Sequence, residues 1–329
     1  MRNLTSNTAK PGHASAQNVL LTILGPTATG KTSLAAHLAF ELNGEIISAD
    51  SRQVYRGMDI GTGKDYGDYI VNDTPVPFHL IDIVDPGYEY NIFEFQHDFL
   101  KAYHDIISRK KIPILCGGSG MYLEAVIKGY QLTKAERDER FLNSLGKKTE
   151  DQLIEILKSF KTPHNITDFE DRPRLLKAIM VARSSNQCLL KKQPGSDPDG
   201  TCNDQPFPKI DSTIFGIDYP RGLVKARIKK RLEYRLEHGM IGEVEQLLAT
   251  GITPERLMKY GLEYKFVVLY LTGKISRTDL FNELNIAIRQ FAKRQMTWFR
   301  RMERQGIEIH WIDGRLPLEK KLQDIRILC

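Results

Sequence analysis

The stretch GPTATGKT, Gly25–Thr32, follows the apolar run NVLLTIL and opens a segment, KTSLAAHLAFELNG, whose apolar residues recur at helical spacing. It fits G-x-x-x-x-G-K-[ST] in the strand–loop–helix context that this pattern requires. Gly25, Pro26, Thr27, Ala28, Thr29, Gly30, Lys31 and Thr32 are therefore read as a phosphate cradle. Its glycines let backbone N–H groups turn inward, and the helix N-terminus adds favourable partial charge. Lys31 is expected to neutralise a terminal phosphate, and the Thr32 hydroxyl to ligate Mg²⁺.

Outward from the loop, EIISAD, PFHLIDIVD and IPILCGG read as three further strands, with the helix NIFEFQHDFLKAYHDIISRKK before the last. STIFGID and IEIHWID close the series. Strands alternating with helices predict an α/β protein, a P-loop doubly wound parallel sheet, here with a helical insertion domain. The expected division is a disordered tail at 1–18, a discontinuous core at 19–128 and 209–315, a helical insert at 129–190, a loop at 191–208 and a C-terminal tail at 316–329. The basic helix SRTDLFNELNIAIRQFAKRQMTWFRRMERQG belongs to the core.

A chain of 329 residues with 41% hydrophobic content buries a large core. It has no long uncharged apolar run, so no membrane span is expected, and the polar start lacks the apolar stretch of a signal peptide. A cytoplasmic monomer is the expectation. The four cysteines, Cys116, Cys188, Cys202 and Cys329, show no metal or disulfide spacing. The net charge of +6 is compatible with a polyanionic partner.

In open α/β sheets the site lies at the carboxyl ends of the strands, so Asp50, which ends EIISAD, should face the phosphates. Ser51, Arg52 and Gln53 extend that polar cluster. NTP-hydrolysing proteins with such a loop add a metal-organising carboxylate at a neighbouring strand end. IPILC ends in Gly117-Gly118-Ser119-Gly120 instead, leaving Asp82 and Asp85 as candidates for that role.

Five segments, GPTATGKT, EIISADSRQVYRGMDIGTGK, HLIDIVDP, GGSGMYLEAV and FAKRQMTWFRR, together resemble the tRNA dimethylallyltransferase family from about Leu20 to Arg301. The resemblance implies that the loop grips dimethylallyl diphosphate. Its five-carbon group would pass to the N6 amine of the adenine 3′ of a tRNA anticodon. Asp50 is then the general base, Thr27 a donor to the bridging oxygen and Arg227 a diphosphate contact, although Arg221 and Arg231 on the same helix compete for that last role. Asp50, Ser51, Arg52, Gln53 and Ser119 would position the base, and Arg174, Arg221, Lys293, Arg294 and Arg301 would meet the tRNA. Departures are Pro173, where the family has glutamine, and MKYGLEYKF, where Gly261, Tyr264 and Lys265 match loosely.

Along Arg289–Arg304, six cations face one acid, Glu303, and the Arg294, Arg301 and Arg304 face is expected to bind phosphates. Trp298 and Phe299 are expected in the core. A free-nucleotide isopentenyltransferase would share the loop and Asp50 but needs neither the basic helix nor the insert. A small-molecule P-loop kinase, or a nucleotide-binding regulator without chemistry, are the readings from other classes.

Overall fold

The leucine-rich run before the loop is strand β1, Leu20–Leu24, and all five of its residues are buried, as a strand covered on both faces requires. The computed structural model describes residues 20–133, 138–160, 171–191 and 206–328, with only the backbone for 187–191. The expected tail at 1–18, most of the loop at 191–208, and Cys188, Cys202 and Cys329 as side chains lie outside the described residues.

After β1 come α1 (Lys31–Glu41), β2 (Gly44–Ala49), the short β3 (Ile70–Val71), β4 (Thr74–Pro75) and β5 (Phe78–His79), α2 (Ile92–Ser108), β6 (Ile112–Gly117) and α3 (Gly120–Ile127). The insert holds α4 (Glu139–Gly146), α5 (Glu150–Phe160) and α6 (Arg172–Lys191). There follow β7 (Ser212–Asp218), α7 (Arg221–Glu237), α8 (Met240–Ala249), α9 (Pro254–Leu257), α10 (Leu262–Leu271), α11 (Arg277–Arg304), β8 (His310–Asp313) and α12 (Leu318–Leu328). Among the described residues, no helix is long and apolar enough to cross a membrane.

Six strands form one sheet in the order β5-β2-β6-β1-β7-β8, and every pairing is parallel. The register sets Leu24 opposite both Gly117 and Gly216, and Ala49 opposite Gly117. Strands β2, β6 and β1 thus end level, β7 runs two residues further to Asp218, and the loops leaving them share one edge. One apolar cluster joins the sheet to α1 and α12, through Leu34, Leu38, Ile114, Phe215, Leu322 and Ile325 among others. A second packs α7, α8, α10 and α11 around Val54, Tyr55 and Met58, the stretch that follows β2.

The chain divides into two compact units, Met1–Gly129 with Lys209–Cys329, and Tyr130–Pro208. The second unit packs α4, α5 and α6 around Leu145, Leu153, Leu157, Leu175 and Ile179. Its Pro173 falls in the first turn of α6, where no backbone N–H is needed, and Asp171 accepts the Arg174 N–H there at 2.8 Å.

Two expectations need correction. PFHLIDIVD yields only the two-residue edge strand β5, because Leu80 and Asp82 take φ of +63° and +55° and turn the chain. The sequence from 316 is no tail but carries α12, whose Leu322 and Ile325 are buried against the core. Residues 221–249 form two helices, α7 and α8, broken at His238–Gly239.

Candidate active site

Residues 25–32 wrap from the end of β1 into α1, with Gly30 at φ +78° and Ala28 at +65°. Inside the loop the Thr29 hydroxyl donates to Pro26 O at 2.9 Å. From outside, the loop is held by α7 and α11. Arg227 Nε donates to Ala28 O at 2.7 Å while its guanidinium lies 5.0 Å from the Tyr219 ring centre. Arg231 donates to the Thr27 hydroxyl oxygen. Of the three candidate arginines on α7, two therefore reach the loop. Arg221, at the start of α7, does not: it lines a separate cavity with Lys293 and Arg289.

Gln295 completes the clasp. Its side-chain oxygen accepts the Thr27 N–H at 2.9 Å and its amide N–H donates to Gly118 O at 2.8 Å, so one side chain joins the phosphate loop to the loop after β6. Gly118 is glycine for this reason, since a Cβ there would lie 2.5 Å from Gln295 Nε2. The buried stripe of α11 runs Ile288, Ala292, Gln295, Phe299, Met302. A glutamine on an otherwise apolar stripe is the signal that could have singled it out.

A cavity of about 510 Å³ is lined by residues 27–34 together with Asp50, Arg227, Arg231 and Lys321. A second, of about 720 Å³, is lined by Ser51, Arg52, Ser119, Tyr122, Phe291, Arg294 and Trp298 among others. Thr27, Lys31, Asp50, Thr62 and Arg231 line both. The first cavity gathers Lys31, Arg227, Arg231 and Lys321 about the loop, with Asp50, Asp65 and Asp68 facing them, whereas the second adds the rings of Tyr122, Phe291 and Trp298 to its basic side chains.

Burial pushes the Lys31 ammonium below its usual pKa, and Arg231 and Arg235 press in the same direction against Asp50. Arg231 is likewise lowered, to about 10, first by desolvation and then by Arg235. Asp50 opposes the shift of Lys31, and Glu263, Asp65 and Asp50 oppose that of Arg231, but burial outweighs them, so a bound anion would stabilise both cations. Cys116 is the free cysteine of the described residues; burial raises its thiol to about 12, which keeps it protonated and no nucleophile.

Asp50 is half-buried at the end of β2, and one of its oxygens accepts the Arg52 N–H at 2.9 Å, leaving the other free to face the cavity. The Ser119 hydroxyl accepts the Ser51 N–H at 3.0 Å. Arg52 is exposed on the rim of the second cavity. Gln53 is turned inward: it accepts from the Ser48 hydroxyl at 3.0 Å and donates to Gly63 O at 3.1 Å, so it braces the wall instead of offering its amide to a ligand.

The candidate strand-end acids lie elsewhere. Asp82 is bound by Lys64 and Tyr66, and Asp85 by Arg56 at 2.9 Å. Arg301 is not a free phosphate ligand, because it pairs with buried Glu124 and its guanidinium lies 4.0 Å over the Trp298 ring. Trp298 is half-buried on the cavity wall, not in the core, while Phe299 is fully buried as expected. Arg294 and Lys293 are exposed, on the rims of different cavities, and Arg304 is exposed in the last turn of α11. Arg174, in the second unit, is exposed and pairs with Asp171 at 3.3 Å.

A parallel α/β sheet that ends in a glycine-rich loop, with Lys31 and Asp50 shared between two cavities, one of them walled by rings, has the arrangement of a group-transfer protein. The model of the IPP transferase family matches residues 53–302, and that of isopentenyl transferases matches 18–73. The chain is 51% identical to tRNA dimethylallyltransferase 2 of Phocaeicola vulgatus, over 93% of its length and 96% of the relative's. It is 53% identical to tRNA dimethylallyltransferase 1 of Parabacteroides distasonis, over 92% and 95%. Among solved structures, the full-length tRNA isopentenylpyrophosphate transferase of Bacillus halodurans superposes with a TM-score of 0.65 at 30% identity, covering 95% of each chain. The chain belongs to the IPP transferase family.

Proposed function

We propose that this protein is a tRNA dimethylallyltransferase that moves the dimethylallyl group of dimethylallyl diphosphate to N6 of the adenine 3′ of a tRNA anticodon. The observation that carries the reading is the meeting of a cavity built around the loop and a ring-walled cavity at Thr27, Lys31, Asp50 and Arg231. The donor's diphosphate suits the first cavity. The second suits a base extruded from the anticodon loop, with rings for stacking and Arg52 and Arg294 at its rim for phosphates.

As the allylic C–O bond breaks, its electron pair goes to the diphosphate, where Lys31, Arg227 and Arg231 stabilise it. Thr27 accepts from Arg231, so its own proton is free for the bridging oxygen. The adenine N6 lone pair forms the new C–N bond, and the N6 proton goes to the free oxygen of Asp50. Desolvated cations favour the charged leaving group over an empty site.

Mg²⁺ fits the donor set. Thr32 and Asp50, both oxygen donors, line the first cavity. An ion there would be held by Thr32, the substrate's own oxygens and water, as Mg²⁺ prefers. When bound it adds positive charge against the departing diphosphate. A cytoplasmic location is part of the proposal.

The test is incubation with labelled dimethylallyl diphosphate and either unmodified tRNA or AMP, followed by nucleoside analysis. Label in tRNA adenosine, with one diphosphate released per adenine and no added ATP, is expected. Label in AMP alone would move the reading to the free-nucleotide enzyme, and an ATP requirement to a kinase.

A further inference from the structure

The C-terminal helix brings a cation to the donor cavity that the loop motif does not account for. α12 is anchored by Leu322 and Ile325 in the cluster that also holds α1. That anchoring presents Lys321, one residue before Leu322, to the first cavity beside Tyr219 and Arg227. Lys321 has neither a hydrogen-bond nor an ion-pair partner for its ammonium among the described residues. Asp313, the acid on the adjoining strand β8, is taken by Arg315 at 2.6 Å. Arg227 likewise has no carboxylate partner among those residues, its Nε going to Ala28 O. Burial and the neighbouring Arg227 both press the Lys321 ammonium below its usual range, with Asp313 opposing them. Arg227 is exposed and Lys321 half-buried, so the two cations stand at the mouth of the cavity where an anion between them would be held by both.

Their position is specific. Arg227, Leu318 and Lys321 line the first cavity and not the second, whereas Lys31, Arg231 and Asp50 line both. Carbon transfer must occur where the two cavities meet, so the Lys321 end is the one remote from the transferred carbon. We propose that Lys321 is a phosphate ligand, binding the terminal phosphate of the diphosphate and making the site select a diphosphate over a monophosphate donor. This rests on the reading of the first cavity as the donor's.

The experiment titrates inorganic diphosphate and inorganic phosphate, at constant ionic strength, into the wild type, Lys321→Met and Lys321→Arg, with thermal melting of each as a folding control. Removing one charge-assisted hydrogen bond should weaken diphosphate binding by about 10-fold in Lys321→Met, with affinity largely restored in Lys321→Arg. Phosphate affinity should change less than about twofold, since one phosphate held by Lys31 and the loop does not reach Lys321. The KM for dimethylallyl diphosphate should rise in parallel with kcat held, as for an interaction equal in ground and transition states. Equal diphosphate affinity in wild type and Lys321→Met overturns the role of Lys321 and leaves the donor reading standing. Failure of the wild type to bind diphosphate overturns both.

Discussion

Lys31 and Asp50 line the same two cavities but act on different partners, so their loss should read differently. Lys31→Ala removes an interaction already made with the bound donor and should raise KM as well as lower kcat. Asp50→Asn keeps the shape and the hydrogen bond from the Arg52 N–H but cannot take a proton, so kcat should fall by about 10²–10⁴ with diphosphate affinity nearly unchanged. Steady-state kinetics beside a diphosphate titration separate the two, and undiminished turnover of Asp50→Asn would remove it as the base. Gln295 carries a second prediction. Gln295→Leu leaves the Thr27 N–H and Gly118 O without partners in a buried setting, a cost of about 1–3 kcal/mol readable by chemical denaturation. Asp50 was legible because parallel sheets put their sites at strand ends, and the loop because its spacing is dictated by backbone geometry. Gln295 and Lys321 were not, and Arg231 was legible only as one of three candidates on its helix. Each acts beside a residue far away in the chain, Thr27 in the case of Gln295 and Arg231 and the loop cavity in the case of Lys321, and local spacing is silent about such partners.

Strands β1, β2, β6 and β7 could be read directly, since burial on both faces demands an unbroken apolar run. α12 hides in a charged segment whose apolar residues are only Leu318, Leu322 and Ile325 at helical spacing and a few beyond. Two elements make predictions of their own. Along α11, neighbouring arginines have opposite jobs: Arg301 balances buried Glu124, whereas Arg294 stands on the rim of the aromatic cavity. Glu124 also pairs with Lys128 at 2.9 Å, so Arg301→Ala should cost about 1–3 kcal/mol of stability and not the full cost of an unpaired buried charge. Arg294→Ala should stay within about 0.5 kcal/mol of wild type but flatten the salt dependence of tRNA binding by about 0.7–0.9 in slope. Unchanged slope would leave Arg294 a solvated residue. At the other end of β2, Glu45 is bound by Arg109, Lys111 and His79, and these hold its pKa at about 2 against the usual 4.5, Arg109 most of all. The folded state therefore prefers the ionised form. Its contribution is complete above pH 4.5 and fades as pH falls towards 2. A Glu45→Gln variant should be less stable than wild type near neutrality, and denaturation curves across that acid window should converge.

On the scale of the whole molecule, the division into a discontinuous sheet unit and the helical unit 130–208 means that everything argued for the chemistry lies in the first. Net charge of +6 gives long-range attraction for a polyanion without specifying one, and the specificity argued above comes from rings and rim cations instead. The two chambers, joined through the shared Thr27, Lys31, Asp50, Thr62 and Arg231, have a consequence for the order of events. A spent leaving group in one chamber and a modified base in the other need not pass each other on the way out. Diphosphate should therefore compete with the allylic donor for free enzyme yet fail to compete with tRNA. Initial-rate inhibition plots distinguish this: slopes alone should change when the donor is varied, and intercepts should move when tRNA is varied. Competition against both would mean a single common doorway, through which each turnover must empty the enzyme before the next pair of substrates can enter.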